Sequence, residues 1–204
     1  SLGGGSELAL ACQAIVATEK GSFGFPESGL GIYPGLGGML RTNHQIGKEL
    51  AKYFVLTGKG ISAQAAKDLG IVTKLVDAAD VQSAIKDLVE NGAPDKYRQR
   101  EVPMQYAEIK HAFNDDNFEK TIKGIAGDGV REEFAQKTAK TIGYKAPGIC
   151  KVIPKMIDRQ AEMTIDEGIE YELSLLNETF AKPEALIGLE ASLAGKRPDY
   201  SSLN

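Results

Sequence analysis

The sequence predicts an α/β fold that gives way to a helical second half, and three observations carry this. Short apolar runs bounded by turn residues, Ala14-Ile15-Val16-Ala17-Thr18 and Ile71-Val72-Thr73-Lys74-Leu75-Val76, read as strands. Between them Met39, Leu40, Ile46, Leu50 and Phe54 fall on one face at helical spacing. From Asp77 onward only helical patterns follow, which divides the chain into a core segment at 1–76, a mainly helical stretch at 77–146 and C-terminal helices at 147–204.

Taken in order, Gly3-Gly4-Gly5 opens the chain, and the apolar run Leu8, Leu10, Ala11 and Cys12 after it reads as a buried helix. After the strand at 14–18, Lys20-Gly21-Ser22 turns into an extended run, Ser22-Phe23-Gly24-Phe25, that ends on Pro26-Glu27. Residues 29–38 hold too much glycine and proline for a helix and read as a loop. Nucleotide binding is not predicted there, because the spacing is not G-x-G-x-x-G after a strand. Gly58-Lys59-Gly60 likewise lacks the upstream glycine and the following Ser/Thr of a phosphate loop.

A single helix is expected over 38–54, with Arg41 near its start, better read as pairing with a surface carboxylate than as holding phosphate. Thr57-Gly58 breaks that helix, Ser62 caps a short one through Ala66 and Leu69, and Gly70 ends it. Val81, Ile85, Leu88 and Val89 make an amphipathic helix stopped by Asn91-Gly92-Ala93-Pro94, and Lys96, Arg98, Arg100 and Glu101 read as a solvated linker. Helices follow through Tyr106, Ile109 and Phe113, through Phe118, Ile122 and Ile125, and over 134–142, with Asp115-Asp116 expected to cap the second. Pro147-Gly148 restarts a helix carrying Ile149, Val152, Ile153, Met156 and Ile157. A second long helix after Thr164 runs through Ile169, Leu173, Leu176 and Phe180, the Met and Leu stripes reading as core or subunit contacts rather than a cofactor box, and a last helix carries Leu186 to Leu193.

Composition bounds the function. The 204 residues are 42% hydrophobic with a formal net charge of -4, enough for one medium domain with its own core or a core plus a helical appendage. Mild acidity without a basic run argues against a nucleic-acid partner, and no apolar stretch approaches membrane-spanning length, so a soluble protein is expected. Cys12 and Cys150 read as buried or free thiols of a reducing, cytoplasmic compartment. With only His44 and His111, and no ligand-spaced cluster around either, a metal site is not expected.

The chemistry concentrates at the start. A glycine-rich turn opening a helix presents backbone N–H groups at its positive end, suited to an oxyanion or a phosphate. Glu7 sits one turn in, close to Gly4; alone it reads as an acidic residue completing a helix N-terminus. Glu27 changes that reading, because a helix, a turn, a strand and an extended run can fold back to bring the two carboxylates together. Paired carboxylates suit general acid–base work, since mutual repulsion keeps one protonated while the other stays ionised.

The run Gly3-Gly4-Gly5-Ser6-Glu7-Leu8-Ala9-Leu10-Ala11-Cys12, then Phe23-Gly24-Phe25-Pro26-Glu27 and Leu30-Gly31, Pro34-Gly35, Gly37-Gly38 and Arg41, closely resembles the crotonase superfamily, in particular its enoyl-CoA hydratase branch. Thr164-Ile165-Asp166-Glu167-Gly168 and Leu193-Ala194-Gly195-Lys196-Arg197-Pro198 resemble its C-terminal helices more loosely. The resemblance implies a crotonase-like spiral of ββα turns, and water addition to a trans-2-enoyl-CoA in fatty-acid β-oxidation. It implies that the Gly4 N–H binds the thioester oxygen, with Glu7 as base and Glu27 as acid around one water. Gly3, Gly5, Phe25, Pro26, Leu30, Tyr33, Pro34 and Gly35 would shape the acyl pocket. The CoA thioester is substrate, and no metal or redox cofactor is called for.

The resemblance also implies a homo-oligomer, trimer or hexamer, packed through 147–204. It makes 77–146 look like an insertion found in larger relatives, among them 3-hydroxyacyl-CoA hydrolases and hydratases fused to a 3-hydroxyacyl-CoA dehydrogenase. In the family a second oxyanion donor comes from upstream, and this chain opens on Ser1 inside the motif. It is therefore expected to be an N-terminally incomplete core from a longer polypeptide.

Three alternatives stand beside hydration. An isomerase of the superfamily works with one carboxylate, so two favour hydration. The hydrolase branch resembles Phe-Pro-Asp where this chain has Tyr33-Pro34-Gly35, which counts against thioester hydrolysis. The chain alone could also be an inactive packing and oligomerisation module.

Overall fold

The computed structural model describes residues 1–96 and 101–203, so two of the expected linker residues, Arg98 and Arg100, lie outside the described residues. Helix α1 (Gly4–Ala11) leads to strands β1 (Val16–Ala17) and β2 (Ser22–Phe23), a 3-10 turn (Glu27–Leu30), and helices α2 (Gly38–Ile46) and α3 (Lys48–Thr57). Strand β3 (Ile61–Ser62), helix α4 (Ala63–Asp68) and strand β4 (Lys74–Leu75) follow. The second half is helical: α5 (Val81–Asn91), α6 (Ala107–Ala112), α7 (Phe118–Ile122), α8 (Glu132–Ile142), α9 (Pro147–Gln160), α10 (Ile165–Phe180) and α11 (Pro183–Leu193).

β1 pairs in parallel with β4, Val16 opposite Lys74, and β2 pairs antiparallel with β3, Ser22 opposite Ser62. The strands are shorter than the apolar runs predicted, and the hydrogen bonds explain it. Ile71 and Val72 N–H both donate to Ala66 O, finishing α4, while Ile15 N–H is taken by the Thr73 hydroxyl at 3.0 Å rather than by a ladder carbonyl. As expected, Ser62 caps α4, its hydroxyl accepting from Ala65 N–H.

Helix α3 is the centre of the core. Every residue from Leu50 to Thr57 is buried, and α2, α6, α8 and α9 pack around it. Its Tyr53 ring meets Phe113 edge-on at 5.4 Å and stacks with Phe134 at 6.0 Å, which ties the middle of the chain to this centre. The single helix expected over 38–54 is two helices, because Gly47 sits at φ 87° and ψ 157°, a conformation essentially closed to other residues.

Several other expectations are corrected. α1 lays one stripe, Ser6, Glu7 and Leu10, inward, so Leu8 is 71% exposed, and Cys12 lies beyond the helix end and is exposed. In α10 the buried stripe is Gly168, Glu172 and Thr179, and Leu173 and Phe180 are half exposed, so of the two readings, core or subunit contact, the core one does not hold for these two. The small Gly168 lets this helix come close to Leu40, which sets its rotation. Asp115 does not cap α7; Asn114 Oδ1 accepts from Asn117 N–H at 2.9 Å, and Asp115 pairs with Lys48 at 2.8 Å. Ile125 lies past the end of α7. Lys96 is not merely solvated: its ammonium donates to the carbonyls of Leu10 and Cys12 at the end of α1, where a cation meets the negative end of the helix.

Lys52 is a charge the periodicity did not mark as buried. It is 2% exposed, pairs with Asp158 at 2.7 Å and lies 5.2 Å from the Phe118 ring centre. Only the Lys52 end of the pair is buried, and removing Asp158 leaves that charge, among the described residues, with Asp115 alone at 3.9 Å, whereas an apolar isostere of Lys52 removes both the charge and its desolvation. Asp158→Ala is therefore expected to destabilise by about 2 kcal/mol and Lys52→Met by clearly less. Urea denaturation checks this; equal losses, or a greater loss for Lys52→Met, would refute it.

Glu184, at the start of α11, accepts the Gly148 and Ile149 N–H groups at 2.6 and 3.1 Å and so caps α9. Cys150 is half-buried and burial pushes its thiol up to about 12; both cysteines are free. Among the described residues, no helix is long and apolar enough to cross a membrane.

Candidate active site

The chain begins the site by stapling two segments across the N-terminus of α1. Gly3 N–H donates to Gly24 O at 2.9 Å, and Gly24 N–H donates to the buried Ser6 hydroxyl at 3.1 Å. β2 delivers Gly24 to this position, and Phe25, 1% exposed, anchors the next step in the core. Pro26 then adopts a helical backbone, so Glu27 does not end an extended run as expected but opens the one-turn 3-10 helix. The turn sets Glu27 against Gly3 so closely that a Cβ on Gly3 would lie 2.8 Å from Glu27 Oε1. Gly4 follows as the first residue of α1, with an N–H of the kind a helix leaves without an intrahelical partner.

Glu7 is reached from the other side. Its Oε1 accepts two backbone N–H groups, Leu36 at 2.8 Å and Gly38 at 2.9 Å, at the start of α2. The approach is tight, since a Cβ on Gly38 would fall 2.8 Å from the Glu7 side chain and 2.9 Å from the Phe25 ring. Glu7 and Glu27 are 4% and 7% exposed. The structure thus brings Glu7, Glu27, Gly3, Gly4, Phe25 and Pro26 together around the opening of α1.

Glu27 is pushed up to about 7, first by burial and further by the charge of Glu7, with a backbone hydrogen bond acting the other way. Its Oε2 is buried without a hydrogen-bond partner among the described residues. A buried polar atom left so asks for a reason, and a proton carried there for transfer is one.

The remaining predicted pocket residues lie along the following loop. Gly5 is exposed beside Ser1. Leu30 presents its backbone to Gly188 of α11; Tyr33 is buried and its hydroxyl donates to Glu172 O at 2.5 Å; Pro34 is buried; and Gly35 meets Leu176 and the Tyr33 ring. Leu30, Tyr33 and Gly35 thus pack toward the C-terminal helices.

A third carboxylate was not foreseen. Glu172, 0% exposed, accepts from Gly37 N–H at 2.6 Å and from Gln160 Nε2 at 2.8 Å. Burial, and then the charge of Glu7, push it up to about 7 against those bonds. The signal was present as the small and polar line Gly168, Glu172, Thr179, itself at helical spacing, beside a more conspicuous leucine pattern. Among the described residues no group of three His, Cys, Asp or Glu side chains could hold a metal ion.

Comparison with known proteins settles the class. The family model for enoyl-CoA hydratase/isomerase matches residues 1–202, and the chain belongs to that family. A probable enoyl-CoA hydratase of Mycobacterium bovis is 26% identical over 201 residues, covering 98% of this chain and 59% of that protein. The fatty acid oxidation complex subunit alpha of Psychrobacter arcticus is 33% identical over 199 residues, 93% of this chain and 25% of that one. The crystal structure of a carnitinyl-CoA dehydratase from Mycobacterium thermoresistibile matches with a TM-score of 0.77 at 17% identity, covering 100% of this chain and 61% of that one, so the α/β fold is of the crotonase type. The chain thus spans 59% or less of the length of these two curated relatives.

Proposed function

We propose that this chain carries the acid–base apparatus of a trans-2-enoyl-CoA hydratase. The observation that supports it most is the difference between two neighbouring buried carboxylates. Glu7 is gripped by two amides, while Glu27, at about 7, is close to half protonated at neutral pH and has an unpartnered oxygen. In the reaction Glu7 takes a proton from water as the water oxygen bonds to the β-carbon. The displaced π electrons move toward the thioester, whose oxygen is held by the Gly4 N–H, and Glu27 delivers a proton to the α-carbon. The proton gained by Glu7 replaces the one lost by Glu27, so a net water is added and the pair is reset by proton transfer.

A place in fatty-acid β-oxidation, with an acyl-CoA as substrate, is part of the proposal, supported by the relative named as subunit alpha of a fatty acid oxidation complex. A 3-hydroxyacyl-CoA dehydrogenase in the same polypeptide would oxidise the product. A homo-oligomer, trimer or hexamer, would cover the exposed Leu173, Phe180, Leu186 and Leu193.

The test is direct on the full-length protein. Crotonyl-CoA should lose its conjugated enoyl absorbance without releasing thiol; thiol release with the double bond intact would mean hydrolysis instead, and a gain of conjugation from a 3-enoyl-CoA with no hydration would mean isomerisation. Because the acid must be protonated, kcat/KM is expected to fall as pH rises through about 7. A rate that stays flat from pH 6 to about 9 would exclude Glu27 as that acid.

A further inference from the structure

We propose that Glu172 is a positioning residue for Glu7, an inference that rests on the hydratase reading above. Three successive amides, those of Leu36, Gly37 and Gly38, are divided between two buried carboxylates. The outer two go to Glu7 Oε1 at 2.8 and 2.9 Å, and the middle one goes to Glu172 Oε2 at 2.6 Å. Held from both sides, the turn aims its two outer amides at one oxygen of Glu7 and so fixes the carboxylate. A turn containing Gly35, Gly37 and Gly38 has little stiffness of its own, so the grip from Glu172 supplies it.

Glu172 is itself anchored. Its other oxygen accepts from Gln160 on α9, its main-chain carbonyl accepts from the Tyr33 hydroxyl, and Gly168 one turn earlier seats α10 against Leu40. The groups that face it are Glu7 across the turn and Tyr33, while Arg41 donates to Leu36 O at 3.2 Å on the exposed side. Reaction rates depend steeply on angstrom-scale placement of a base, which gives a residue that touches no substrate a large lever on turnover.

Two conservative variants separate positioning from charge. Glu172→Gln keeps the reach and an oxygen for Gly37 N–H; once the Gln160 amide turns over, its oxygen can accept from the new amide in place of the present bond, at the loss only of the long 3.4 Å bond from Gln160 Nε2 to Gly168 O. Glu172→Asp keeps the charge but loses the reach. Positioning predicts that the Asp variant loses turnover about tenfold with KM for crotonyl-CoA within about twofold, and that the Gln variant stays within about threefold of wild type. Hydrogen exchange measured by mass spectrometry should show residues 36–38 opening at least about tenfold faster in the Asp variant and near wild type in the Gln variant.

An Asp variant as active and as protected as wild type, or a Gln variant impaired more than Asp, overturns the proposal. If the wild-type protein leaves crotonyl-CoA unchanged, the hydratase reading fails, and the exchange pattern alone decides whether Glu172 holds the turn that grips Glu7.

Discussion

Glutamine in place of Glu27 is expected to lower the hydration turnover of the full-length protein at least about a hundredfold, and glutamine in place of Glu7 to do the same, the scale of a lost general acid or base. The two substitutions are informative because neither disturbs much else. An amide at position 7 still offers an oxygen to Leu36 and Gly38, so the turn survives and only the proton acceptor is lost. An amide at position 27 fits the same space beside Gly3 and carries no proton to give. Either variant turning over within tenfold of wild type removes that residue from the mechanism.

Stability adds a second reading of Glu27→Gln. The folded protein holds the Glu27 proton more tightly than the unfolded chain, about 7 against 4.5, so its contribution is fully present below about 4.5 and is lost as pH rises through about 7. The wild-type denaturation midpoint should fall over that window, and the variant should fall less. Glu172 acts in the same window and sets the residual slope.

Gly188→Val is expected to be the most damaging change outside the carboxylates. The backbone of Leu30 and Gly31 lies in a notch of α11: a Cβ on Gly188 would come within 2.2 Å of Leu30 O, and one on Gly31 within 2.3 Å of Glu184 O. Both obstacles are main chain, which no rotamer change can clear. A side chain at 188 would gain up to about 1 kcal/mol in helix propensity, against about 3 kcal/mol or more for overpacking. The net loss should lower Tm by at least about 5 °C and, since Leu30 ends the turn that begins at Glu27, reduce turnover as well. Scanning calorimetry with the enoyl-CoA assay checks both; an unchanged Tm would show that α11 does not press on the turn.

What the sequence revealed followed from signals that are local. Ser62, Gly58 and Gly92 each stop or start a helix where expected, because caps act through neighbouring amides. The approach of Glu7 and Glu27 to the opening of α1 was legible in part, since the glycines and Pro26 that set their backbones lie within the same short segments. The Leu36 and Gly38 amides that hold the Glu7 side chain do not. What escaped was decided between distant elements. The rotation of α10 follows from how Gly168 meets Leu40, the burial of Lys52 from Asp158 on another helix, and the role of Glu172 from the Gly37 amide. The Gly47 break was visible as a glycine, but its backbone angles were not, and a helical pattern ran straight across it.

The notch in α11 has a consequence for the order of events in the cell. The turn at Glu27–Leu30 is made well before α11, Pro183–Leu193, which clasps it. A nascent chain therefore holds Glu27 on an unclasped turn until α11 has emerged, so the final setting of that carboxylate waits on a helix made more than a hundred residues later.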